Sequence, residues 1–196
     1  TQTAVIATSM PQTSKIDVII PCYNAALTLE RAVMSVVLQT HLQHIIIVDD
    51  GSRDDTVATA QRLQAAYPHG CERLEDTPFG LILLSKHALK SCTVLQHGSL
   101  QNFPAIRAEL GNGRIVYAIH PPPPISAYMA TERDRVLQTI AEQVGHEQGE
   151  VLVMGDMNNT AFASSFRRFL HTSGLKLQAP RAMPTWRPGL ISIDHI

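Results

Sequence analysis

Short apolar runs alternate with helical apolar stripes in the first third of the chain. The run IDVII over residues 16–20 ends at a proline and predicts a buried strand. Apolar residues recur at three- and four-residue spacing through LTLERAVMSVVLQTHL, 27–42, which predicts an amphipathic helix. HIIIV, 44–48, predicts a second strand, and a second helical stripe over 57–67 ends before Pro68. The predicted order is therefore β-α-β-α.

The middle of the chain contains four short runs that predict strands. The runs are FGLILLS at 79–85, TVLQ at 93–96, AIRAEL at 105–110 and RIVYAIH at 114–120. A GNG turn at 111–113 joins the last two as a hairpin. We expect this part to be antiparallel.

The last third returns to alternating helices and strands. The prolines of HPPPP cannot donate backbone hydrogen bonds, so the chain leaves the sheet there as a stiff extended stretch. Two helices and two strands follow: a helix over 131–144, a strand over 150–155, a helix that ends at Gly174, and a strand over 190–196. The whole pattern predicts an α/β chain with a mixed sheet or two packed sheets.

Length and charge limit the number of domains and the kinds of partner that the chain can have. A chain of 196 residues fits one domain, which we place at 16–196, with 1–15 as a flexible leader. The apolar run in that leader is too short for a signal sequence or a membrane span. The net charge of −1 gives no indication of a basic surface that could bind long nucleic acid through its phosphates. No protein partner is indicated.

The three cysteines are widely spaced. Cys22, Cys71 and Cys92 form no C-x-x-C pair, so the sequence indicates neither a zinc knuckle nor a complete disulfide set. We expect a reducing, cytoplasmic location.

Acidic residues follow predicted strands at three places. Asp49 and Asp50 end the second strand in IIIVDDGSRDDT, Asp156 and Asn158 follow the strand in GDMNN, and the last strand carries Asp194. Carboxylates at strand ends can share a divalent cation. They are also common in solvated turns and at helix starts, so for Asp49 and Asp50 the turn interpretation carries equal weight.

Residues 16–56 resemble the opening of family-2 glycosyltransferases. The resemblance lies in a strand leading into P-x-Y-N, a helix, and a strand ending V-D-D-G-S-x-D-x-T. It implies that Asp50 contacts the base and ribose of a nucleotide-sugar. A metal-binding D-x-D further along, which that family uses, has no counterpart in this chain.

Residues from about 57 onward resemble the endonuclease/exonuclease/phosphatase family. The matching pieces, in that family's order, are YPHGCERLEDTPFGLILLSKHAL, IVYAIHPPPP, VLVMGDMNNTAFASSFRRFL, PTWR and SIDHI. The resemblance implies a mixed-sheet α/β sandwich of the nuclease/phosphatase type. In this chimera-like interpretation, the transferase-like βαβ segment occupies the place of the sandwich's own first unit.

The second resemblance also implies site residues. Asp156 would orient or deprotonate the attacking water, and Asn158 would bind a phosphate oxygen. His195 would be the base or a phosphate-stabilising cation, and His120 an acid or donor across the scissile phosphate. A Mg²⁺ or Mn²⁺ ion would be held by Asp194 with Asp50 or Asp49, where a glutamate is usual, and Asn24 would contact substrate.

The sequence thus predicts a divalent-metal-dependent phosphodiester hydrolase acting on nucleic acid or a phosphorylated small molecule. Two alternatives remain open. One is a family-2 glycosyltransferase-like protein that binds a nucleotide-sugar, and the other is a folded chimera without catalysis.

Overall fold

The computed structural model describes residues 16–37, 42–49, 52–63, 67–73, 79–85, 87–177 and 194–195. The predicted leader, 1–15, lies outside these residues. Nine strands are described: β1 (Ile16–Cys22), β2 (Leu42–Asp49), β3 (His69–Arg73), β4 (Leu81–Ser85), β5 (Leu89–Leu95), β6 (Ala105–Leu110), β7 (Ile115–Ile119), β8 (Val151–Asp156) and β9 (Asp194–His195). The α-helices are α1 (Leu29–Val37), α2 (Thr56–Leu63), α3 (Ala127–His146) and α4 (Ser164–Ser173).

The strands form two sheets. The first has the order β1-β2-β4-β3, with β1 and β2 parallel and β4 antiparallel to both of its neighbours. The second has the order β5-β6-β7-β8-β9, antiparallel except for the parallel pair β7 and β8. The expected antiparallel middle is confirmed, and the two-sheet alternative is the correct one.

The sheets pack face to face with helices on both outer sides. Leu81 and Leu83 of β4 meet Ile106 of β6 and Met154 of β8 between the sheets. Because side chains alternate along a strand, Ile82 and Leu84 of the same β4 point to the other side. There they contact Leu29 and Val33 of α1, Ile45 and Ile47 of β2, and Ala60 of α2. The mixed-sheet α/β sandwich predicted from the sequence is thus confirmed.

The second sheet buries its outer face beneath α3 and α4. Tyr117 and Ile119 of β7 pack in one cluster with Ile140 of α3 and Phe166 and Phe169 of α4. The apolar stripes that predicted these two helices are the faces that they bury. Ser126 caps α3 by accepting a hydrogen bond from the Met129 amide at 3.1 Å, so α3 begins four residues earlier than predicted.

A charged network fastens the C-terminal end of α3 to the second sheet. Arg107 donates to both carboxylate oxygens of Glu147, at 2.6 and 2.9 Å, and the Tyr117 hydroxyl donates to the same carboxylate at 2.6 Å. The Arg107 hydrogen bonds hold the pKa of Glu147 below its usual range. Burial, followed by the hydrogen bond to Glu147, raises the pKa of Tyr117. The Arg107–Glu147 pair therefore stays ionised across neutral pH, and the Tyr117 hydroxyl stays protonated.

The spacing of the cysteines did not predict which of them pair. Cys71 of β3 and Cys92 of β5 form a disulfide, with Cα atoms 5.9 Å apart. β3 was not predicted as a strand, and it forms the edge of the first sheet where β5 forms the edge of the second. Sandwich packing brings these two edges together, which spacing along the sequence does not reveal. The cytoplasmic location remains a prediction. The disulfide weighs against it, because disulfides persist mainly in oxidising compartments.

No helix within the described ranges combines the length and apolarity needed to cross a bilayer.

We expect the double variant Cys71→Ser/Cys92→Ser to unfold more easily than the parent protein. The bond closes a loop of 21 residues in the unfolded chain, for which loop-closure entropy gives a loss of about 3 kcal/mol in the free energy of unfolding. Thermal and urea unfolding measure the loss. Reductant should lower the midpoint of the parent and leave the double variant unchanged, and equal sensitivity of both proteins would contradict this assignment.

Candidate active site

The C-terminal ends of β1, β2, β7 and β8 lie at one edge of the sandwich. A Cβ placed on Gly80 would be 3.9 Å from Asp49 Oδ2, at the end of β2. The neighbouring Phe79 has its ring 5.6 Å from the His120 ring, just after β7. The end of β2 therefore lies beside the end of β7, and the loop after β1 is joined to the loop after β2 by hydrogen bonds. We call this the catalytic edge of the sandwich, because it carries residues that the sequence predicted to be catalytic.

Asp156 and Asn158 form one turn at the end of β8. The Asn158 amide donates to Asp156 Oδ1 at 2.7 Å, and Asn158 has φ +46°, a left-handed conformation that asparagine tolerates better than most residues. The Asn158 side chain donates from Nδ2 to the Pro121 carbonyl at 3.0 Å. The turn after β8 is thus fastened to the proline stretch after β7.

Arg133 of α3 fastens the same turn from another side. Its Nη1 donates to the Asn158 carbonyl at 3.2 Å, and its Nε and Nη2 donate to Asp134 Oδ1 at 3.0 and 2.8 Å. Only 13% of the Arg133 side chain is exposed. A hydrogen bond from a partly buried cation to a backbone carbonyl restricts the peptide after Asn158. Arg133 was not predicted from the sequence, because nothing in TERDRV marks one arginine as facing a distant loop.

Gly155 allows β8 to approach β7 closely just before Asp156. Its φ is +138°, and an added Cβ would lie 2.0 Å from the Ile119 carbonyl oxygen. No other residue fits there without moving one of the strands. On the other side of β8, the register pairs Gly155 with His195 and Asp156 with Asp194. The predicted DH pair is therefore next to the predicted GDMN turn, while the side chains of Asp194 and His195 lie outside the described part of the structure.

His120 is at the catalytic edge but faces inward. It is 1% exposed and packs against Phe79, whose ring in turn packs edge-on against Phe103 at 4.7 Å. A catalytic acid must reach the leaving oxygen of the substrate. The burial of His120 favours a supporting place behind the edge over direct contact with substrate.

The Asp49 carboxylate accepts hydrogen bonds from within its own turn. Its Oδ2 accepts from the Ser52 amide at 3.0 Å, its Oδ1 accepts from the Ser52 hydroxyl at 2.5 Å, and the Cys22 thiol approaches Oδ1 at 3.7 Å. The residue is 4% exposed. These contacts favour the turn interpretation for Asp49. Asp50, the other candidate, lies outside the described residues.

Asn24 links the loops that follow β1 and β2. Its amide donates to the Ser52 hydroxyl at 2.8 Å, its Oδ1 accepts from the Arg53 amide at 2.8 Å, and its φ is +46°. Asp54 accepts from the Ala26 amide at 3.1 Å and from both the amide and the hydroxyl of Thr56. The Thr56 contacts lower the pKa of Asp54. The transferase-like motif is therefore one closed hydrogen-bonded unit at the catalytic edge.

Among the described side chains, no three His, Cys, Asp or Glu residues are grouped to hold a metal ion. The side chains of the predicted ligands Asp50 and Asp194 lie outside the described part of the structure. What the structure provides is Asp156 directly opposite Asp194 in an antiparallel pair. Like charges opposed across two strands destabilise the pair, and a shared cation would remove that repulsion. This register fits a divalent cation held by oxygen ligands.

The family model matches the N-terminal part of the chain, whereas solved structures match most of it. Residues 17–93 match the model of glycosyl transferase family 2. This match extends further than the 16–56 segment seen in the sequence, to β5, and covers less than half of the chain. No curated protein matches the sequence.

Solved structures match most of the chain. A β-hairpin deletion mutant of β toxin from Staphylococcus aureus has a TM-score of 0.59 at 15% identity, covering 86% of this chain and 75% of its own. An AP endonuclease from Archaeoglobus fulgidus has a TM-score of 0.60 at 12% identity, covering 80% and 68%. Sphingomyelinase C from Streptomyces griseocarneus has a TM-score of 0.54 at 14% identity, covering 84% and 69%. The fold is the endonuclease/exonuclease/phosphatase sandwich. At these identities the likeness establishes the fold alone.

We expect Arg133→Met to loosen the turn after β8 without unfolding the chain. Losing the hydrogen bond to the Asn158 carbonyl leaves that oxygen without its charged donor, and amide exchange in 157–160 should accelerate about tenfold. Hydrogen exchange read by mass spectrometry measures this. The matched control is Arg135→Met, which removes an exposed arginine two residues further along α3 that pairs with Glu132. Equal exchange in both variants would show that Arg133 does not hold the turn.

Proposed function

We propose that the chain is a divalent-metal-dependent phosphodiester hydrolase that uses the catalytic edge. The single observation that carries the proposal is the pairing of β8 with β9, which puts Asp156 and the Asn158 turn beside Asp194 and His195. The fold comparison supports it, because it includes proteins named as an AP endonuclease and as a sphingomyelinase. The cation would be Mg²⁺ or Mn²⁺, held by Asp194 and Asp50.

Hydrolysis of a phosphodiester places three demands on the residues at this edge. A water must be aligned and deprotonated, the phosphoryl oxygens must be bound, and the leaving oxygen must receive a proton. A divalent cation, when bound, neutralises charge on the phosphoryl oxygens. The remaining tasks belong to side chains of the chain itself.

Asp156 has the place of the residue that aligns the attacking water. One of its oxygens, Oδ1, accepts from the Asn158 amide, which fixes the orientation of the carboxylate. Asn158 uses Nδ2 to reach the Pro121 carbonyl, and an amide nitrogen carries a second N–H that can donate to a phosphate oxygen. The Asn158 side chain thus holds the turn and keeps one N–H for the substrate.

The two histidines receive different roles. His195 lies on β9, opposite Gly155 of β8. It is the group that exchanges a proton with the substrate or stabilises its charge. His120 is buried against Phe79 and acts as a positioning residue behind the edge. Asn24, which is exposed in the loop after β1, contacts the outer part of the substrate.

We expect purified protein to hydrolyse bis-p-nitrophenyl phosphate with Mg²⁺ or Mn²⁺, and EDTA to abolish the reaction. Asp156→Asn and His195→Gln should each lower kcat by about 10²- to 10⁴-fold, the usual loss of a proton-transfer residue. The matched control is Glu150→Gln, which removes an exposed acid just before β8, at the end opposite Asp156. Activity that survives EDTA, or that falls equally in all three variants, would refute the assignment.

One observation favours a second candidate, a nucleotide-sugar-binding protein. The family-2 match includes the closed unit formed by the loops after β1 and β2. Saturable binding of a uridine diphospho-sugar that is lost in Asp50→Ala, in a protein that cleaves no phosphodiester, would support this candidate. A protein that fails both assays is the folded chimera without catalysis.

A further inference from the structure

The hairpin turn between β6 and β7 contains the one asparagine of the chain that a glycine follows. The turn is GNG at 111–113, and Asn112 is exposed at its tip. It precedes the start of β7, so it lies at the end of the sandwich opposite the catalytic edge. Four other asparagines occur in the chain, and none of them precedes a glycine: Asn24, Asn102, Asn158 and Asn159.

The Asn112 side chain is folded over the peptide that follows it. Its Oδ1 accepts a hydrogen bond from the Arg114 amide at 3.0 Å, in the manner of an Asx turn. Reaching that amide brings the side-chain carbon Cγ close to the intervening nitrogen of Gly113. The same hydrogen bond places a donor on the oxygen that becomes negative when a nucleophile attacks Cγ. The turn therefore combines a nitrogen nucleophile, a carbonyl and a donor that stabilises the oxyanion.

The surroundings of Gly113 allow its nitrogen to react. Its N–H donates to the Leu110 carbonyl at 2.9 Å, and this bond must open first. Hydrogen bonds at exposed loop tips open at low free-energy cost. Gly113 has φ +87°, and the nearest described atom to an added Cβ, apart from its chain neighbours, would be Lys90 Nζ at 3.9 Å. The turn can therefore rearrange without displacing packed side chains.

From this arrangement we infer that Asn112 is a site of spontaneous deamidation, in which the Gly113 backbone nitrogen displaces ammonia from the side chain. The nitrogen forms a bond to Asn112 Cγ and loses its proton to solvent. The bond from Cγ to Nδ2 breaks, and Nδ2 takes up a proton and leaves as ammonia. Water then opens the cyclic imide at either carbonyl, which gives aspartate or isoaspartate. Nothing is oxidised or reduced, and the one co-reactant is water.

Three of the other asparagines are held in ways that oppose this reaction. The amide that follows Asn24 donates to Thr56 Oγ1 at 2.7 Å, so the nucleophile there is bound by a distant side chain. Asn158 uses Nδ2, the group that would leave, to bind the Pro121 carbonyl. Asn159 is 3% exposed, which excludes the water that must open the imide.

The test incubates the folded full chain at neutral and mildly alkaline pH and maps its peptides by mass spectrometry. We expect the peptide with Asn112 to convert from amide to acid about tenfold faster than the peptide with Asn102, an exposed asparagine that precedes the buried Phe103. Conversion should accelerate as pH rises, because more of the Gly113 amide is deprotonated. Isoaspartate is measured separately, through methylation of its carboxylate by an isoaspartyl methyltransferase.

Two variants separate this site from the rest of the chain. Asn112→Gln moves the amide carbon one methylene further from the backbone, so ring closure becomes slow. We expect the acidic forms that anion exchange resolves in the aged parent protein to be absent from this variant. The matched control is Asn102→Gln, which changes another exposed asparagine in the same way and should accumulate these forms as the parent does.

Either of two results would overturn the inference. No conversion at Asn112 in the folded protein, or conversion no faster than at Asn102, would show that the turn does not promote ring closure. Conversion to aspartate with no isoaspartate would show that water attacks the side chain directly. No phosphodiester assay enters these measurements, so their outcome is independent of the proposed function.

Discussion

The close approach of β8 to β7 at Gly155 is the constraint on which the rest of the site depends. A side chain at this position would collide with the Ile119 carbonyl, so the two parallel strands can end side by side only because this residue is glycine. His120 and Asp156 follow immediately. The Asn158 contacts to Pro121 and Arg133 then hold the turn in place. A short stretch of backbone packing thus determines where the candidate catalytic groups lie.

The two halves of the chain meet through apolar packing, which tolerates exchange of sequence better than a catalytic site does. β4 contributes Leu81 and Leu83 to the interior between the sheets and Ile82 and Leu84 to the cluster beneath α1 and α2. A βαβ unit from another lineage needs only strands and helices with matching apolar faces to fill this place. Polar groups must meet specific partners at specific distances. The N-terminal unit satisfies this requirement internally, since Asp49, Asp54 and Asn24 bind to its own loops.

Much of the fold could be predicted from the sequence because its signals are local. Apolar runs gave the order of strands and helices, and the glycine, asparagine and proline positions gave most of the turns. β3 was missed because HGCER has little apolar character and pairs at an edge. The Cys71–Cys92 bond was missed for a different reason, since it depends on two sheet edges meeting in space. Position at the catalytic edge was predictable for Asp156 and Asn158. The burial of His120 and the involvement of Arg133 were not, because both follow from packing between distant segments.

The orientation of α3 shows how stability and site geometry are connected in this sandwich. At its C-terminal end, the ionised Glu147 carboxylate is held by the Arg107 guanidinium and the neutral Tyr117 hydroxyl. Nearer its N-terminal end, Arg133 reaches the Asn158 carbonyl. A helix fixed at one end by an ion pair and over its length by Val136, Leu137 and Ile140 has little freedom to shift. The arginine that restrains the turn after β8 is therefore anchored by contacts far from the catalytic edge, so substitutions at the far end of α3 act on the site through the position of this helix.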